Sequence, residues 1–411
     1  MPDVSHETID VPGLWNDIAV ALAKEGRMAA ACAAQRRAVD LAPDRADLQS
    51  NYGNMLRRYG RDYALAYHHL RSALRLDPNH NHAWHNMGVW WLERGSTPAA
   101  LSCLGRALED DPTNHDWKFA RATGLLMAER WTEGFEAYEC RYEGKDLGTT
   151  KPLWDGSPLK GRTLLLHAEQ GYGDTIMFHR YAHWLATKER TINYIVPQPL
   201  VRLLRGSRES GELLPSDVHL PLMSLPHVLG INKVEAPPYI APPFQLVIKE
   251  PPGTKYRIGL VWKAKSGRSE MTVDEQLHGL AKTMPFELLL ELTSIPQAHL
   301  FALQPGADDV DKAGAGHLVT DLGPRIHDFA DLSSFIQQLD VLVSVDTAPA
   351  HLAGAMGKPA VVCCAYAHNW NWGTRDRSPW YDSARIVRQA EPGVWPIQRI
   401  IEKVRECLQS P

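Results

Sequence analysis

The sequence predicts two architectures in one chain: an α-helical repeat array, then an α/β body of two halves built on parallel sheets. Three observations carry this. Small residues and prolines recur at a period of about 34 residues through the first third of the chain. An apolar run, Thr163–Ala168, meets a glycine turn and a helix start at Glu169–Phe178. A second run, Leu339–Val343, breaks at Asp346-Thr347, passes through a small-residue helix and gives way to a third run, Ala360–Cys364. Strand, anion-ready helix start and strand form the local plan of a parallel sheet with a nucleotide-phosphate site at its C-terminal edge.

In the repeat region Pro43, Pro78 and Pro112 share one phase, and Ala38, Ala73 and Ala107 share another. Gly53 and Gly88 share a third, which Ala19 and Ala122 continue; Trp15 and Trp84 stand four residues before the small residue. Small residues where two helices touch, large ones wedged between them and a closing proline form the tetratricopeptide pattern. The match covers residues 12–148 as four units, the last of which (about 115–148) is degenerate and lacks the proline. Such arrays wind into a superhelix with a concave, peptide-binding face. Asn51 and Asn86 lie two residues before Gly53 and Gly88. Around Trp84-His85-Asn86-Met87-Gly88 the pattern resembles the repeats of protein O-GlcNAc transferases. That resemblance implies an asparagine ladder able to bond an extended peptide backbone. Asp17 and Ala120 stand at the equivalent places, so the ladder is partial, and a solvated polar face is the plain alternative. His68, His69, His80, His82 and His85 straddle loops and helix starts without a cysteine or carboxylate pattern. They read as groove or surface lining, not as a metal site.

The chain has 411 residues, with 44 Lys and Arg against 48 Asp and Glu. That balance gives no support for a nucleic-acid or anionic-membrane partner. The six cysteines form no CxxC pair and sit mostly in apolar patterns, so they read as reduced core residues. The polar, acidic Met1–Asp10 is unlike a signal peptide, and no apolar run approaches membrane-spanning length. A cytoplasmic protein is expected.

Lys151–Gly156 reads as the linker out of the repeats and into the body. Its first half, 149–250, contains the Thr163–Ala168 strand and the Glu169-Gln170-Gly171-Tyr172-Gly173-Asp174 turn. Ala236–Pro243 and Pro251–Gly253 form a stiff connector. The second half, 255–395, opens on the strand Tyr256–Trp262, with Lys263 and Lys265 at its C-terminal end, where basic groups can neutralise a diphosphate. A strand is expected over His299–Gln304 and an amphipathic helix from Ile326 to Gln338. Thr347 is expected to cap the helix that Gly357-Lys358-Pro359 ends. The loop holding Trp370, Trp372, Arg375, Asp376, Arg377 and Trp380 reads as a packed aromatic cluster or as the wall of a sugar site. Residues 396–411 form a last helix.

Asp346-Thr347-Ala348-Pro349-Ala350-His351-Leu352-Ala353 resembles the phosphate-binding motif of heptosyltransferase-type enzymes, glycosyltransferase family nine: Asp-Thr/Ser, three residues, then His-Leu-Ala. Gly173-Asp174 matches the Gly-Asp that comes after their first strand, where Asp is the proposed general base. Phe178-His179-Arg180-Tyr181 departs from their downstream Leu-Pro, and Glu-Gln-Gly-x-Gly-Asp is closer to a subgroup fused to tetratricopeptide repeats. The resemblance implies a GT-B body of two Rossmann-like domains, with the last helix packing back onto the first half. It implies glycosyl transfer from a nucleotide-diphosphate sugar, with inversion. Asp174 would act as base. Lys263, Lys265, Gln304, Asp328, Asp346, Thr347, Ala348 and His351 would bind the nucleotide sugar. Gly171 and Gly173, with Asn51 and Asn86 in the repeats, would face the acceptor. No Asp-x-Asp stands in the phosphate region, so neither metal nor other cofactor is expected. A protein acceptor is the first reading. A lipid or polysaccharide acceptor and a non-catalytic scaffold are the alternatives.

Overall fold

The computed structural model describes residues 10–60, 62–143, 147, 149–187, 191–209, 214–235, 238–264, 279–306 and 308–409. The chain divides into two compact units, Met1–Ala128 and Glu129–Pro411.

The first unit is a stack of helix pairs. α1 (Val11–Lys24) packs on α2 (Met28–Leu41), α3 (Ala46–Met55) on α4 (Tyr63–Leu76), and α5 (Asn81–Glu93) on α6 (Thr97–Leu108); α7 (His115–Met127) comes next. The repeating small residues are where the helices of a pair touch. A Cβ on Gly53 would come within 2.7 Å of Leu70 Cγ, and one on Gly88 within 2.6 Å of Leu104 Cγ. Ala19, Ala38, Ala73, Ala107 and Ala122 are wholly buried. The period is not uniform: Pro43, Pro78 and Pro112 are spaced 35 and then 34 residues apart. The longer repeat carries a π turn at Leu56–Gly60, a wide turn that absorbs an extra residue. Side chains of Asp10, Asp62, His80 and Asn114 cap α1, α4, α5 and α7.

The second unit opens with α8 (Trp131–Tyr138) and a 3-10 turn, Glu139–Tyr142. The second helix of the fourth repeat therefore groups with the α/β body. Next comes a four-stranded sheet of β1 (Leu164–His167), β2 (Ile192–Val196), β3 (Ser207–Glu209) and β4 (Val218–Pro221), in the order β3-β2-β1-β4. The second sheet has six strands: β5 (Tyr256–Val261), β6 (Ala298–Ala302), β7 (Val319–Asp321), β8 (Val341–Val345), β9 (Ala360–Cys364) and β10 (Ala384–Arg388). Their order, β7-β6-β5-β8-β9-β10, is that of a doubly wound dinucleotide-binding sheet; the first sheet repeats its first four positions. Every pairing within the two sheets is parallel. The central strands are continuous apolar runs because both faces are covered: β8 and β9 are buried at every position. A helical repeat region and then two Rossmann-like lobes is thus the architecture of the chain, that of a tetratricopeptide solenoid joined to a GT-B body.

Three further helices matter for the site: α9 (Tyr172–Ala186), α10 (Phe329–Ile336) and α11 (Ala348–Ala355). α9 comes after β1 and packs on α11, which comes after β8. Gly357, with φ +70°, stops α11 in a left-handed turn, at the end expected for this helix. The final helix, α12 (Ile397–Gln409), departs from expectation. It packs on β8, β9 and β10 of its own lobe, not on the first half. Ile400, Ile401, Val404 and Cys407 share one face of the helix and complete the core beneath Val361, Cys363 and Val387.

Candidate active site

The two lobes meet at two helix starts. Gly171 precedes α9, and Asp174 is the third residue of that helix. The Asp174 carboxylate folds back over the opening turn, with Oδ2 3.3 Å from where a Gly171 Cβ would stand, and it is bonded by the Gly171 backbone. This is the acidic half of a capping box. Gly173, the residue between, faces the other lobe: a Cβ there would lie 2.8 Å from His351 Cδ2 and 3.5 Å from Ala348 Cα. Glycine at this point is what lets α9 and α11 approach so closely.

Opposite stands Asp346, at the C-terminal end of β8 and 5% exposed. Its Oδ2 is 2.7 Å from Lys282 Nζ, and its Oδ1 accepts the Trp372 indole N–H at 2.6 Å. Burial alone would raise this carboxyl; the Lys282 charge and hydrogen bond, with the Trp372 N–H, outweigh it and hold it at about 2. Asp174 goes the other way. Burial raises it first, the Asp346 charge raises it further, and Lys282 and the Gly171 bond only partly offset this, leaving it at about 6. Two carboxyls on facing loops are pushed apart, one a fixed anion and one able to gain and lose a proton near neutrality.

His351 is sealed between the lobes, 4% exposed. Its ring stacks on Trp372 at 4.6 Å. Asn371 Nδ2 donates to its Nε2 at 3.2 Å, which assigns the proton to Nδ1, from which it is donated to the Tyr381 hydroxyl at 3.0 Å. Burial lowers its pKa to about 4, so it is neutral at pH 7. Both nitrogens are used within the protein, and this residue braces the meeting of α9 and α11.

Thr347 departs from its expected cap: its hydroxyl donates to Val345 O at 3.1 Å and lies 3.2 Å from Ser344 Oγ. The first turn of α11, from Ala348, is therefore not capped by that side chain. Lys263 and Gln304 are joined, the Lys263 backbone N–H donating to Gln304 Oε1 at 3.0 Å across the ends of β5 and β6. Lys263 Nζ is also 2.6 Å from Asp309 Oδ2. Lys265 lies outside the described residues. Asp328 caps α10, accepting from Ala330 N and Asp331 N, and takes Arg202 Nη1 of the first lobe at 2.8 Å. It is a cap and a tie between lobes, which explains why α10 begins at Phe329 and not at Ile326.

In the repeats, Asn51 Nδ2 donates to Asn16 Oδ1 at 2.8 Å and Asn86 Nδ2 to Ser50 Oγ at 3.1 Å. The amides link successive repeats, and Asn86 is buried. The histidines have local uses: His80 caps α5, and His82 and His85 pack on the Trp117 ring. Among the described residues no group of three or more His, Cys, Asp or Glu could hold a metal ion. No described helix is long and apolar enough to cross a membrane.

Several residues that shape the site carry no motif. Lys282 is one; its signal is no more than a lysine beside apolar Ala281 and Met284. Arg180 is another, buried and donating to Met177 O, Glu235 O and, across the lobes, Trp380 O at 3.0 Å. Arg141 is the third. It grips Glu169 through Nε at 3.0 Å and Nη2 at 2.7 Å, and donates to Ser224 Oγ, fastening the turn after α8 beside the Asp174 loop. Glu169 in the Glu-Gln-Gly-Tyr-Gly-Asp run is thus a structural anchor.

A family model, glycosyltransferase family 9 (heptosyltransferase), matches residues 304–398, the stretch from Gln304 to the start of α12. The chain is 26% identical to Protein FlbA of Caulobacter vibrioides over 462 aligned positions, spanning 98% of this chain and 74% of that protein. Among solved structures, an O-GlcNAc transferase mutant of Thermobaculum terrenum matches at 16% identity over 98% of this chain and 94% of its own, with a TM-score of 0.36. The first TPR of Spaghetti, bound to an HSP90 peptide, matches 28% of this chain and 92% of its own at 17% identity, with a TM-score of 0.27.

Proposed function

We propose that this chain is a glycosyltransferase that moves a sugar, with inversion, from a nucleotide-diphosphate donor to a hydroxyl of an acceptor protein held by the repeats. The observation that carries the reading is Asp174: a carboxyl held near 6 at a glycine-rich helix start, facing the Asp346–Thr347 loop of the family-9-like lobe. A base of that strength is ionised at pH 7 and still basic enough to take a proton as an acceptor oxygen attacks. The attack forms the new glycosidic bond at the anomeric carbon as the bond to the diphosphate breaks. The electron pair leaves with the diphosphate, and the acceptor proton passes to Asp174. The opening turn of α11, at the C-terminal edge of the second sheet, supplies positive potential to the leaving group, and Lys263 adds to it on exchanging Asp309 for the diphosphate. Lys265 joins them in this reading, and Gln304 lines the nucleotide side. With that potential present the reaction needs no divalent ion.

Calorimetric titration with UDP, GDP and ADP in excess chelator tests the donor half. Binding of at least one is expected; binding that returns only with magnesium or manganese would remove the metal-independent reading, and no binding in either condition would remove the donor site.

The acceptor half is read from the repeats. Replacing Asn51 and Asn86 together by alanine is expected to weaken transfer to a protein acceptor by up to about 100-fold, at roughly 0.5–1.5 kcal/mol per lost hydrogen bond, while sparing slow donor hydrolysis. A paired assay of transfer and hydrolysis decides this. Because both amides also link repeats, the melting curve of the double variant must accompany it. Unchanged transfer would leave the asparagines as repeat-to-repeat ties alone.

A further inference from the structure

The 3-10 turn Trp370-Asn371-Trp372 is locked into the site by two of its three side chains. Asn371 donates to His351, and Trp372 stacks on His351 while donating to Asp346. The backbone after it is fixed as well: Arg388 Nη2 donates to Trp372 O at 2.9 Å and to Gly373 O at 2.8 Å. Gly373 ends the turn at φ +58°, a backbone conformation that glycine adopts without strain.

Trp370, the third side chain, is left half-buried. Its ring meets Tyr138 edge-on at 5.8 Å and Trp380 at 5.9 Å. Tyr138 is itself fixed: its ring lies over the Arg141 guanidinium at 5.1 Å, and its hydroxyl accepts from Gln170 Nε2 at 3.3 Å. Gln170 is the residue before Gly171, and the Asp174 charge acts on the Tyr138 hydroxyl. Trp370 therefore joins the turn whose other side chains hold His351 and Asp346 to Tyr138, which reaches Gln170 beside the Asp174 helix start. A half-buried indole held by Tyr138 and Trp380 matches the chemistry of a pyranose, which has an apolar C–H face and a rim of hydroxyls. Rigid aromatic walls with a few placed polar groups are the usual make-up of such sites.

We propose that Trp370 is the platform on which the transferred sugar ring of the donor stacks, held in place by Tyr138 and Trp380, so that it is a specificity-determining residue of the transferase reaction. This rests on the transferase reading above and adds the sugar subsite to it.

The test uses the full chain with Trp370→Ala, Trp370→Leu and Trp370→Phe. Titrations compare UDP-glucose, UDP-N-acetylglucosamine, GDP-mannose and ADP-glucose with UDP, GDP and ADP. For a sugar nucleotide that the wild type binds more tightly than its parent diphosphate, Trp370→Ala and Trp370→Leu are expected to weaken binding by about 10- to 30-fold. Affinity for the parent diphosphate stays unchanged, and Trp370→Phe retains most of the sugar increment. If Trp370→Ala unfolds, Trp370→Leu and Trp370→Phe carry the comparison, since both keep bulk and only one keeps a ring. Equal affinity of all variants for the sugar nucleotide overturns the platform and leaves the transferase standing. So does a loss shared equally by diphosphate and sugar nucleotide, or a wild type that gains nothing from any appended hexose. A wild type that binds neither diphosphates nor sugar nucleotides overturns both readings.

Discussion

Asp174→Asn is expected to lower turnover by about 10²–10⁴-fold while leaving the affinity for nucleotide diphosphates intact. The asparagine keeps the size of the side chain and can still accept from the Gly171 N–H, so the opening turn of α9 should survive. What is lost is the ability to take the acceptor proton. The wild-type kcat/KM should rise with pH through about 6, where Asp174 ionises. The residual activity of the variant should show no such limb. Single-turnover transfer with a verified acceptor, measured from pH 5 to 8, checks both statements; near-normal turnover in the variant would dismiss Asp174 as the base.

The same substitution has a stability consequence of opposite sign. The folded-state pKa of Asp174 is raised above the ordinary aspartate value of 3.8. Below about pH 4 the residue is protonated in both states, and wild type and Asp174→Asn should be equally stable on this account. Between about 4 and 6 the unfolded chain ionises first, so the wild type loses stability relative to the variant. Above about 6 the difference levels off at roughly 2–3 kcal/mol, at 1.36 kcal/mol per unit. A variant that is more stable and less active at pH 8 is the mark of a group strained for function.

How much of this was legible in the sequence depends on how far apart the partners lie. Repeat glycines and prolines are visible because each one answers a contact within its own unit, as Gly88 answers Leu104. The strands are visible because burial on both faces leaves unbroken apolar runs such as Ala360–Cys364. The site itself is set by pairs that no local pattern joins. Arg180 and Trp380 are 200 positions apart, and Arg141 and Ser224 are 83 apart. Asp328 looks like a ligand in the sequence, yet it caps α10 and holds Arg202. His351 stands in a phosphate motif, yet Tyr381 and Asn371 occupy its nitrogens. The last helix is a similar case: its apolar stripe foretells burial but not which sheet covers it.

Lys282→Met should be the most destabilising single change near the site. It leaves the Asp346 carboxylate buried, with the Trp372 N–H still donating to it but no cation beside it. Removing one partner of a buried ion pair typically costs about 3–5 kcal/mol, because the other charge is left uncompensated. In the wild type the Asp346 carboxyl sits near 2, below its ordinary 3.8, so the pair's contribution is complete above about pH 4 and fades as pH falls through about 2. Without Lys282 burial is no longer offset, the carboxyl rises, and the variant should become relatively more stable as pH is lowered from 7. Adding Asp346→Asn to Lys282→Met should recover much of the loss at pH 7, since no charge is then stranded. The kinetic signature separates this from simple unfolding. Lys282 lowers the Asp174 carboxyl and Asp346 raises it. The acid limb of kcat/KM should therefore move above 6 in Lys282→Met and below 6 in Asp346→Asn, each assayed at a temperature where the variant is folded. Limbs that stay at the wild-type position in both variants would show that the two loops do not share one electrostatic site, and the assignment of Asp174 to a base tuned by Asp346 would fall with them.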